Sequence, residues 1–428
     1  MSEKKDVIVI GAGMAGLLIA YYLQEAGKKV LVLEANKIGS GQTDRTTAKI
    51  TSQHSLKYST LIKKVGREHA RIYARANETA IDEYERLIHS LGVDCDFERV
   101  PSYLYSVANR KQMQEEAKEA ASLGIDAYFT EWTEIPFQVA GAVCFRKQAR
   151  FSPPQLIEAL AAKLEIKEES RVLKIRGKRV YTREQVYRAD KIVMATHYPF
   201  VNVPGFYFLR QHQERSYVLA LKGAEPLQGM YYGVDKNGLS FRQAGEYLLL
   251  GGAGHRTGKK GCGGAYEKLR SAAEQFFPGA REETCWSAQD CMPHDGIPFI
   301  GKFSVFTPHL YVATGFQKWG MSTAMIAALI LREELQGRPH PWSRVFSPQR
   351  LLVRAGLGRF LIDVGESIRG LTLGWFGKRS RRCPHLGCKL EWNPNERSWD
   401  CPCHGSRFAA DGRLYDNPAQ SSADMTEK

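Results

Sequence analysis

The chain has 428 residues, long enough for two or three domains with sizeable cores, and its 43 % hydrophobic, 25 % charged composition is that of an ordinary soluble protein. Four of its nine cysteines (Cys383, Cys388, Cys401 and Cys403) fall within 21 residues near the end, a distribution that excludes a disulfide scaffold spread through the fold and points to a metal site. The formal charge of +14 is uneven: residues 344–382 hold nine basic and two acidic side chains, a net +7, which suits either a solvated linker or attraction to an acidic redox partner, a membrane surface or nucleic acid.

The uncharged run over 7–23 has the look of a signal peptide or short spanning helix. However, Gly11, Gly13 and Gly16 interrupt it and no small-residue cleavage site follows, so a cytoplasmic protein without a transmembrane segment is expected. Residues 6–34 read instead as strand, tight turn, helix over 14–26 stopped by Gly27, and a second strand over 29–33. Gly11 permits the turn, Gly13 lets a pyrophosphate approach the backbone, and Gly16 lets helix and strand pack closely. Glu34 ends the second strand, where a carboxylate accepts hydrogen bonds from an adenosine ribose. A bare glycine triplet is also compatible with a fortuitous turn; here the spacing, both strands and the acidic residue agree on a dinucleotide site.

Helices are expected over 81–91, 115–123 and 155–164, the last introduced by Pro153 and Pro154. Alternating, aromatic-rich stretches at 217–221, 230–232 and 247–250 read as antiparallel strands, 311–313 as a strand and 320–335 as a long helix, after which Pro339, Pro341 and Pro348 mark a boundary.

Further segments over residues 5–340 resemble the D-amino-acid oxidase and glycine oxidase superfamily. The run 39–49, with Thr43, Thr46, Thr47 and Ala48, resembles the loop that wraps pyrophosphate and flavin. Arg171-Val172-Leu173 resembles the strand whose backbone reads adenine, and Ala195-Thr196-His197 the turn beside the rest of the nucleotide. Residues 295–301, then Ala313-Thr314-Gly315 and Lys318-Trp319-Gly320-Met321, are similar to the C-terminal flavin motif. The resemblance implies FAD as cofactor. A helix beginning near Gly320 would aim its positive end at the flavin N1–C2=O edge and stabilise the anionic reduced flavin.

Near the end, Cys383-Pro384-His385-Leu386-Gly387-Cys388 and Cys401-Pro402-Cys403-His404-Gly405-Ser406 form two loops that each offer a cysteine and a histidine. They resemble the Rieske centres of cytochrome bc-type complexes, which implies a [2Fe–2S] cluster held by Cys383, Cys401, His385 and His404, with Cys388 and Cys403 paired as a loop-to-loop disulfide. Ser406 keeps the hydroxyl expected to donate to a cluster sulfur, Phe408 stands where high-potential relatives place a tyrosine, and Asn417-Pro418-Ala419 resembles the covering proline loop. The rival reading is a structural zinc site; Cys-x-His is shorter than usual zinc-finger spacing, and zinc leaves the second cysteine pair unexplained.

The expected fold is therefore α/β: an FAD-binding Rossmann-like domain (1–84, 146–205, 291–345), an inserted antiparallel-sheet substrate domain (85–145, 206–290), a linker (346–374) and a truncated all-β Rieske-type domain (375–428). Too little chain follows Pro348 for a full Rieske domain, so the cluster part is expected to lean on its neighbour. The combination implies an FAD-dependent dehydrogenase that oxidises a small molecule, by analogy at a C–N bond, with electrons leaving singly to a protein or quinone acceptor. Candidate catalytic residues are His54, Arg242 and Lys318, with His255 a further carboxylate anchor; Cys291 is not placed for covalent flavin attachment. Other readings are a redox-sensing electron-transfer module without a substrate, an RNA-modifying flavoenzyme (no nucleic-acid module is recognised), and a membrane-surface segment over 351–371 weakened by Gly356, Gly358, Gly365 and Gly370.

Overall fold

The computed structural model describes residues 4–350 and 381–425. The segment 351–371, most of the expected linker and residues 375–380 lie outside the described residues.

Apolar, β-branched runs flanked by helices favour parallel strands buried on both faces. Lys5–Ile10 (KDVIVI) and Val30–Leu33 (VLVL) behave in this way: they pair in parallel, and Lys5–Ile10 pairs in parallel with Val186–Met194 on its other side. The sheet runs Phe299–Lys302, Leu310–Thr314, Val186–Met194, Lys5–Ile10, Val30–Leu33, Ile166–Lys167, with a small antiparallel extension. The helices Met14–Glu25 and Gly320–Glu334 pack together on it, each with most of its residues buried. Their apolar surface joins the largest core cluster.

A second sheet of nine strands carries the aromatic stretches, in the order Arg281–Pro293, Gln211–Lys222, Tyr247–Arg256, Ser240–Ala244, Met230–Gly233, Glu98–Ser106, Gly141–Arg150, Lys49–Ile50, with Ala127–Thr130 beside Gly141–Arg150. A third, antiparallel sheet is formed by Glu391–Asn393, Ser398–Asp400, Arg407–Phe408 and Leu414–Asp416. The α/β class with a separate all-β C-terminal unit is as the sequence implies.

Several local expectations need correction. The helix expected over 81–91 is the C-terminal part of Arg67–Leu91, whose buried Ala70, Tyr73, Ala74, Asn77 and Ala80 continue the apolar face through a charged stretch. Met230–Gly233 is antiparallel to Ser240–Ala244 but parallel to Glu98–Ser106, because the chain crosses over before entering it. Residues 171–173 form no strand; the strand begins at Lys174. Residues 346–350 are not linker: Phe346 is buried, and Arg350 reaches Asp295 Oδ2 at 2.8 Å with its side chain 3 % exposed. Among the described residues no helix is long and apolar enough to cross a membrane.

Candidate active site and metal centre

A cavity of about 520 Å3 opens between the parallel and nine-stranded sheets, within the range of small-molecule and cofactor sites. At one end the glycine turn is shaped as a pyrophosphate cradle. Gly11 has φ +104° and a Cβ there would stand 2.6 Å from the Ala195 carbonyl oxygen; a Cβ on Gly16 would stand 1.8 Å from the Gly11 carbonyl oxygen. Glycine is required at both, and the N-terminus of Met14–Glu25 is left facing the cavity. Met14 N donates to Thr43 Oγ1 at 3.1 Å, while Glu34 receives Ala12 N at 2.7 Å and Asn36 N at 2.8 Å, which fixes its carboxylate at the cavity edge.

Of the residues expected to hold the nucleotide, Gly11, Gly13, Glu34, Thr43, Thr46, Thr47, Val172, Ala195, Thr196, Trp319, Gly320 and Met321 line the cavity. Gly16, Ala48 and Gly315 lie outside its lining and shape the backbone: Ala48 has φ +47°, and Gly315 (φ +75°) packs where a Cβ would meet Pro293 at 2.5 Å. The helix Gly320–Glu334 starts at the cavity, as the flavin reading requires. Glycines 251, 252 and 254 on one strand open the facing wall. These features fit FAD.

The catalytic candidates divide. Lys318 lines the cavity, with Nζ 2.7 Å from Ser216 Oγ, 3.4 Å from Asp290 Oδ2 and 3.7 Å from Glu214 Oε2. Burial alone would lower its pKa, but Asp290 and Glu214 outweigh burial and hold it above the ordinary lysine value. Burial pushes Asp290 up. His54 does not reach the cavity. It is stacked behind Trp319 (centroids 4.7 Å), with Nδ1 2.7 Å from Tyr73 Oη and Nε2 2.7 Å from the Thr51 carbonyl, and burial holds it neutral. Arg242 is also outside, its Nη2 donating to the Phe151 carbonyl at 2.6 Å, and His255 is held between Tyr217 Oη and the Arg256 carbonyl. All three lie outside the cavity lining with protein hydrogen-bond partners. Cys291 is buried against the His197 carbonyl.

Sequence reasoning missed Glu214, Tyr232 and Asp290 as cavity residues and placed Lys49 only as the end of the 39–49 loop. They come from four strands of the nine-stranded sheet and share no spacing. Among the described residues no acceptor pairs with the Lys49 ammonium, and burial, then Arg242 nearby, pushes it down to about 7.

The two cysteine loops are built alike. Cys383 N donates to the Cys388 carbonyl and Gly387 N to the Cys383 carbonyl, both at 2.9 Å; Cys401 N donates to the Ser406 carbonyl at 2.8 Å and Gly405 N to the Cys401 carbonyl at 2.9 Å. Gly387 (φ +83°) and Gly405 (φ +81°) supply the same left-handed residue. Cys388 and Cys403 form a disulfide that ties the loops together. The remaining thiols face each other: Cys401 holds Cys383 below its ordinary value, and Cys401 is itself pushed up by Cys383 and by burial. The His385 and His404 rings stand 4.9 Å apart at 90°. Burial holds His385 down to about 4, the neutral form a metal takes, and its Nδ1 is buried with no hydrogen-bond partner while Nε2 sits 2.8 Å from Asn202 Oδ1. Ser406 reaches Cys383 and accepts from Ala419 N at 3.0 Å, which seats the 417–419 loop over the site. A pair of facing thiols, Cys383 and Cys401, and a pair of facing imidazoles, His385 and His404, on matching loops fit the donor set of an iron–sulfur rhomb; the disulfide accounts for the cysteine pair that zinc would leave over.

The C-terminal unit leans on the rest of the chain, and Tyr415, Asp416, Asn417 and Gln420 form part of the cavity wall. Asn417 Nδ2 donates to the Thr196 and Tyr198 carbonyls at 2.8 and 2.7 Å. A buried ionic network crosses the interface. Arg407 reaches Asp416, Asp400 and Glu396 at 2.9–3.3 Å, and the fully buried Arg215 lies 3.9 Å from both Glu396 and Asp416.

Comparison with known proteins accords with this geometry. A family model for FAD dependent oxidoreductases matches residues 6–334, and one for the Rieske [2Fe-2S] domain matches 378–426. The chain is 34 % identical to the Bacillus subtilis (strain 168) protein YhfW, whose name assigns it to Rieske 2Fe-2S iron-sulfur proteins, over 97 % of this chain and 92 % of that one. The cytochrome b6-f complex iron-sulfur subunit 3 of Nostoc sp. (strain PCC 7120 / SAG 25.82 / UTEX 2576) is 37 % identical over 21 % of this chain and 51 % of its own. Glycine oxidase from Geobacillus kaustophilus superposes with a TM-score of 0.69 at 18 % identity, covering 82 % of this chain and 100 % of its own. L-proline dehydrogenase from P. horikoshii gives 0.69 at 17 %, covering 81 % and 98 %. At these identities the two structures show a shared fold.

Proposed function

The chain belongs to the FAD dependent oxidoreductase family and carries a C-terminal Rieske [2Fe-2S] domain; from this premise we propose that it is a dehydrogenase oxidising a C–N bond of an amine or amino acid, whose electrons leave one at a time through the C-terminal domain. It is an FAD-dependent oxidoreductase that takes FAD and a [2Fe–2S] cluster. Bound in the cavity, FAD supplies the two-electron acceptor for a hydride. The overall change balances as amine plus two equivalents of a one-electron acceptor giving imine, two reduced acceptors and two protons. Names of the structural relatives, glycine oxidase and L-proline dehydrogenase, support the C–N bond.

In this reading Cys383 and Cys401 hold one iron and His385 and His404 the other, with Ser406 donating to the cluster. Gly11, Gly13, Glu34, Thr43, Thr46 and Thr47 hold the nucleotide, and the Gly320 helix start faces the flavin ring. Lys318, fixed by Asp290, Glu214 and Ser216, organises the polar wall beside the substrate.

The observation that carries the reading is the shared wall: four residues of the cluster domain line the cofactor cavity, an arrangement suited to electron transfer within the chain. The test is anaerobic purification, then absorbance and low-temperature paramagnetic resonance of the dithionite-reduced protein, followed by flavin bleaching with a panel of amines and amino acids. A flavin spectrum, a Rieske-type signal lost in His385→Ala, and bleaching by a member of the panel are expected. Flavin with zinc and no iron would sink the exit route.

A further inference from the structure

Between the cavity and the cluster loops two glutamines lie side by side, Gln213 2 % and Gln289 1 % exposed. Gln289 lines the cavity. Its Nε2 donates to Gln213 Oε1 at 2.6 Å and to the Gly405 carbonyl at 2.8 Å, and Gln213 Nε2 donates to the His404 carbonyl at 2.7 Å. Their direction is fixed by neighbours that cannot reverse. Arg215 Nη2, which only donates, points at Gln289 Oε1 from 2.5 Å, and Thr257 Oγ1 adds a second bond at 3.2 Å. Gln289 must therefore present its amide hydrogens to Gln213, and Gln213 must present its own to a carbonyl, which only accepts.

The packing is equally specific. A Cβ on Gly405 would stand 2.8 Å from the Gln213 side chain, so the loop carrying His404 is pressed directly onto this glutamine. Burying two amides costs free energy unless every polar group is met, and an apolar pair of similar shape would close the interface without that demand. What the amides add is a directional, hydrogen-bonded connection from the cavity wall to the backbone of a cluster-loop histidine. The Asn417 contacts also span the interface, but they join Thr196 and Tyr198 to the covering loop and end on neither histidine.

We propose that Gln289 and Gln213 are positioning residues that form the inter-centre bridge, the route by which single electrons pass from the cavity through Gln289 and Gln213 to the His404 loop. The inference rests on the reading that electrons leave through the cluster. Each passage removes one electron from the reduced flavin and adds one to the oxidised cluster; no bond forms or breaks and no co-reactant is needed.

The experiment uses the full chain loaded with both cofactors and needs no amine. Flavin is photoreduced anaerobically by a light pulse with EDTA as donor, and cluster reduction is followed by freeze-quench paramagnetic resonance. Gln289→Glu keeps the acceptor for Arg215 and Thr257 but removes the donor to Gln213 and Gly405. It should slow cluster reduction about 10- to 100-fold, the usual effect of losing an outer partner of a metal site, beyond whatever its added charge does to the two midpoint potentials, which are titrated in the same samples. Gln213→Leu should slow it similarly and also shift the cluster's g values. Transfer at the wild-type rate in a fully loaded Gln289→Glu protein would overturn the bridge, as would a slowed rate accounted for by altered potentials. If Gln213→Leu loses its cluster, Gln289→Glu decides alone, because it touches neither histidine side chain. A wild-type protein whose cluster stays oxidised after flavin photoreduction overturns the exit-route reading and the bridge with it.

Discussion

His385 Nε2 lies 2.8 Å from Asn202 Oδ1, so a cluster-loop imidazole is hydrogen-bonded to the segment that follows the strand Val186–Met194 of the nucleotide sheet. Because His385 Nδ1 is buried without a partner, Nδ1 is the atom available to iron and Nε2–H is the donor to Asn202. An acceptor on the far nitrogen makes a metal-bound imidazole a stronger ligand and favours the oxidised metal.

Asn202→Leu should therefore raise the cluster's midpoint potential. A bond of about 1 kcal/mol corresponds to roughly 40 mV for a one-electron couple. A redox titration followed by paramagnetic resonance checks this. An unchanged or lower potential would show that the contact does not tune the site.

Gly405→Ala tests how tightly the cluster loop is seated. The backbone there has φ +81°, and the new Cβ would stand 2.8 Å from Gln213. The left-handed conformation alone costs a non-glycine residue about 1–2 kcal/mol, and the contact adds to it. The variant should still bind FAD, since the contacts of Gly11, Thr43 and Glu34 do not involve Gly405, but show substoichiometric iron and an earlier thermal transition. Full iron content with wild-type melting would argue that the loop is loosely docked.

Both centres were legible in the sequence because each is local. Six residues from Gly11 to Gly16 make one turn, and the two cysteine loops repeat one hydrogen-bond pattern within a short stretch. The polar cavity wall was not legible. Glu214, Tyr232 and Asp290 line one cavity only once the nine-stranded sheet is assembled, since two strands separate that of Tyr232 from that of Glu214, and alternation tells which residues share a face without telling what lies opposite. His54 and Arg242 misled for a related reason: a lone polar residue near a motif is as well explained by a satisfied buried partner, here Tyr73 and the Phe151 carbonyl. The contribution of Asp416 and Asn417 to the cavity wall depends on how the C-terminal unit docks, which no spacing within either part encodes.

Lys49 gives the cavity a pH dependence. Burial, with Arg242 close by, pushes this lysine down to about 7, so it gains its charge as pH falls through neutrality. With the FAD-loaded protein, a small carboxylate such as benzoate should bind more tightly at pH 6 than at pH 8 and weaken about tenfold for each unit above 7. Flavin difference absorbance reports the binding. Lys49→Met should flatten the profile, whereas a profile unchanged by that substitution would place the titrating cation elsewhere.

The last prediction concerns what holds the C-terminal unit in place. Burial would raise the pKa of Asp416, but Arg407, then Arg215 and Arg45, more than offset it and hold the carboxyl below its ordinary value. A group depressed in the folded state contributes stability above its unfolded pKa of about 3.9 and loses that contribution as pH falls through the lower folded value. The wild-type interface should thus weaken only in strong acid. Arg407→Met removes the cation that faces Asp416, Asp400 and Glu396 at once, and breaking such a buried network by one partner costs about 3–5 kcal/mol. The pH response should also flatten. With Arg407 gone, burial at Asp416 is opposed only by Arg215 and Arg45, so its folded pKa moves up towards the unfolded one and less stability is lost as pH falls. Denaturant melts monitored by cluster absorbance at several pH values distinguish the two slopes. A variant that is destabilised but keeps the wild-type pH dependence would mean that Arg407 acts through packing rather than charge.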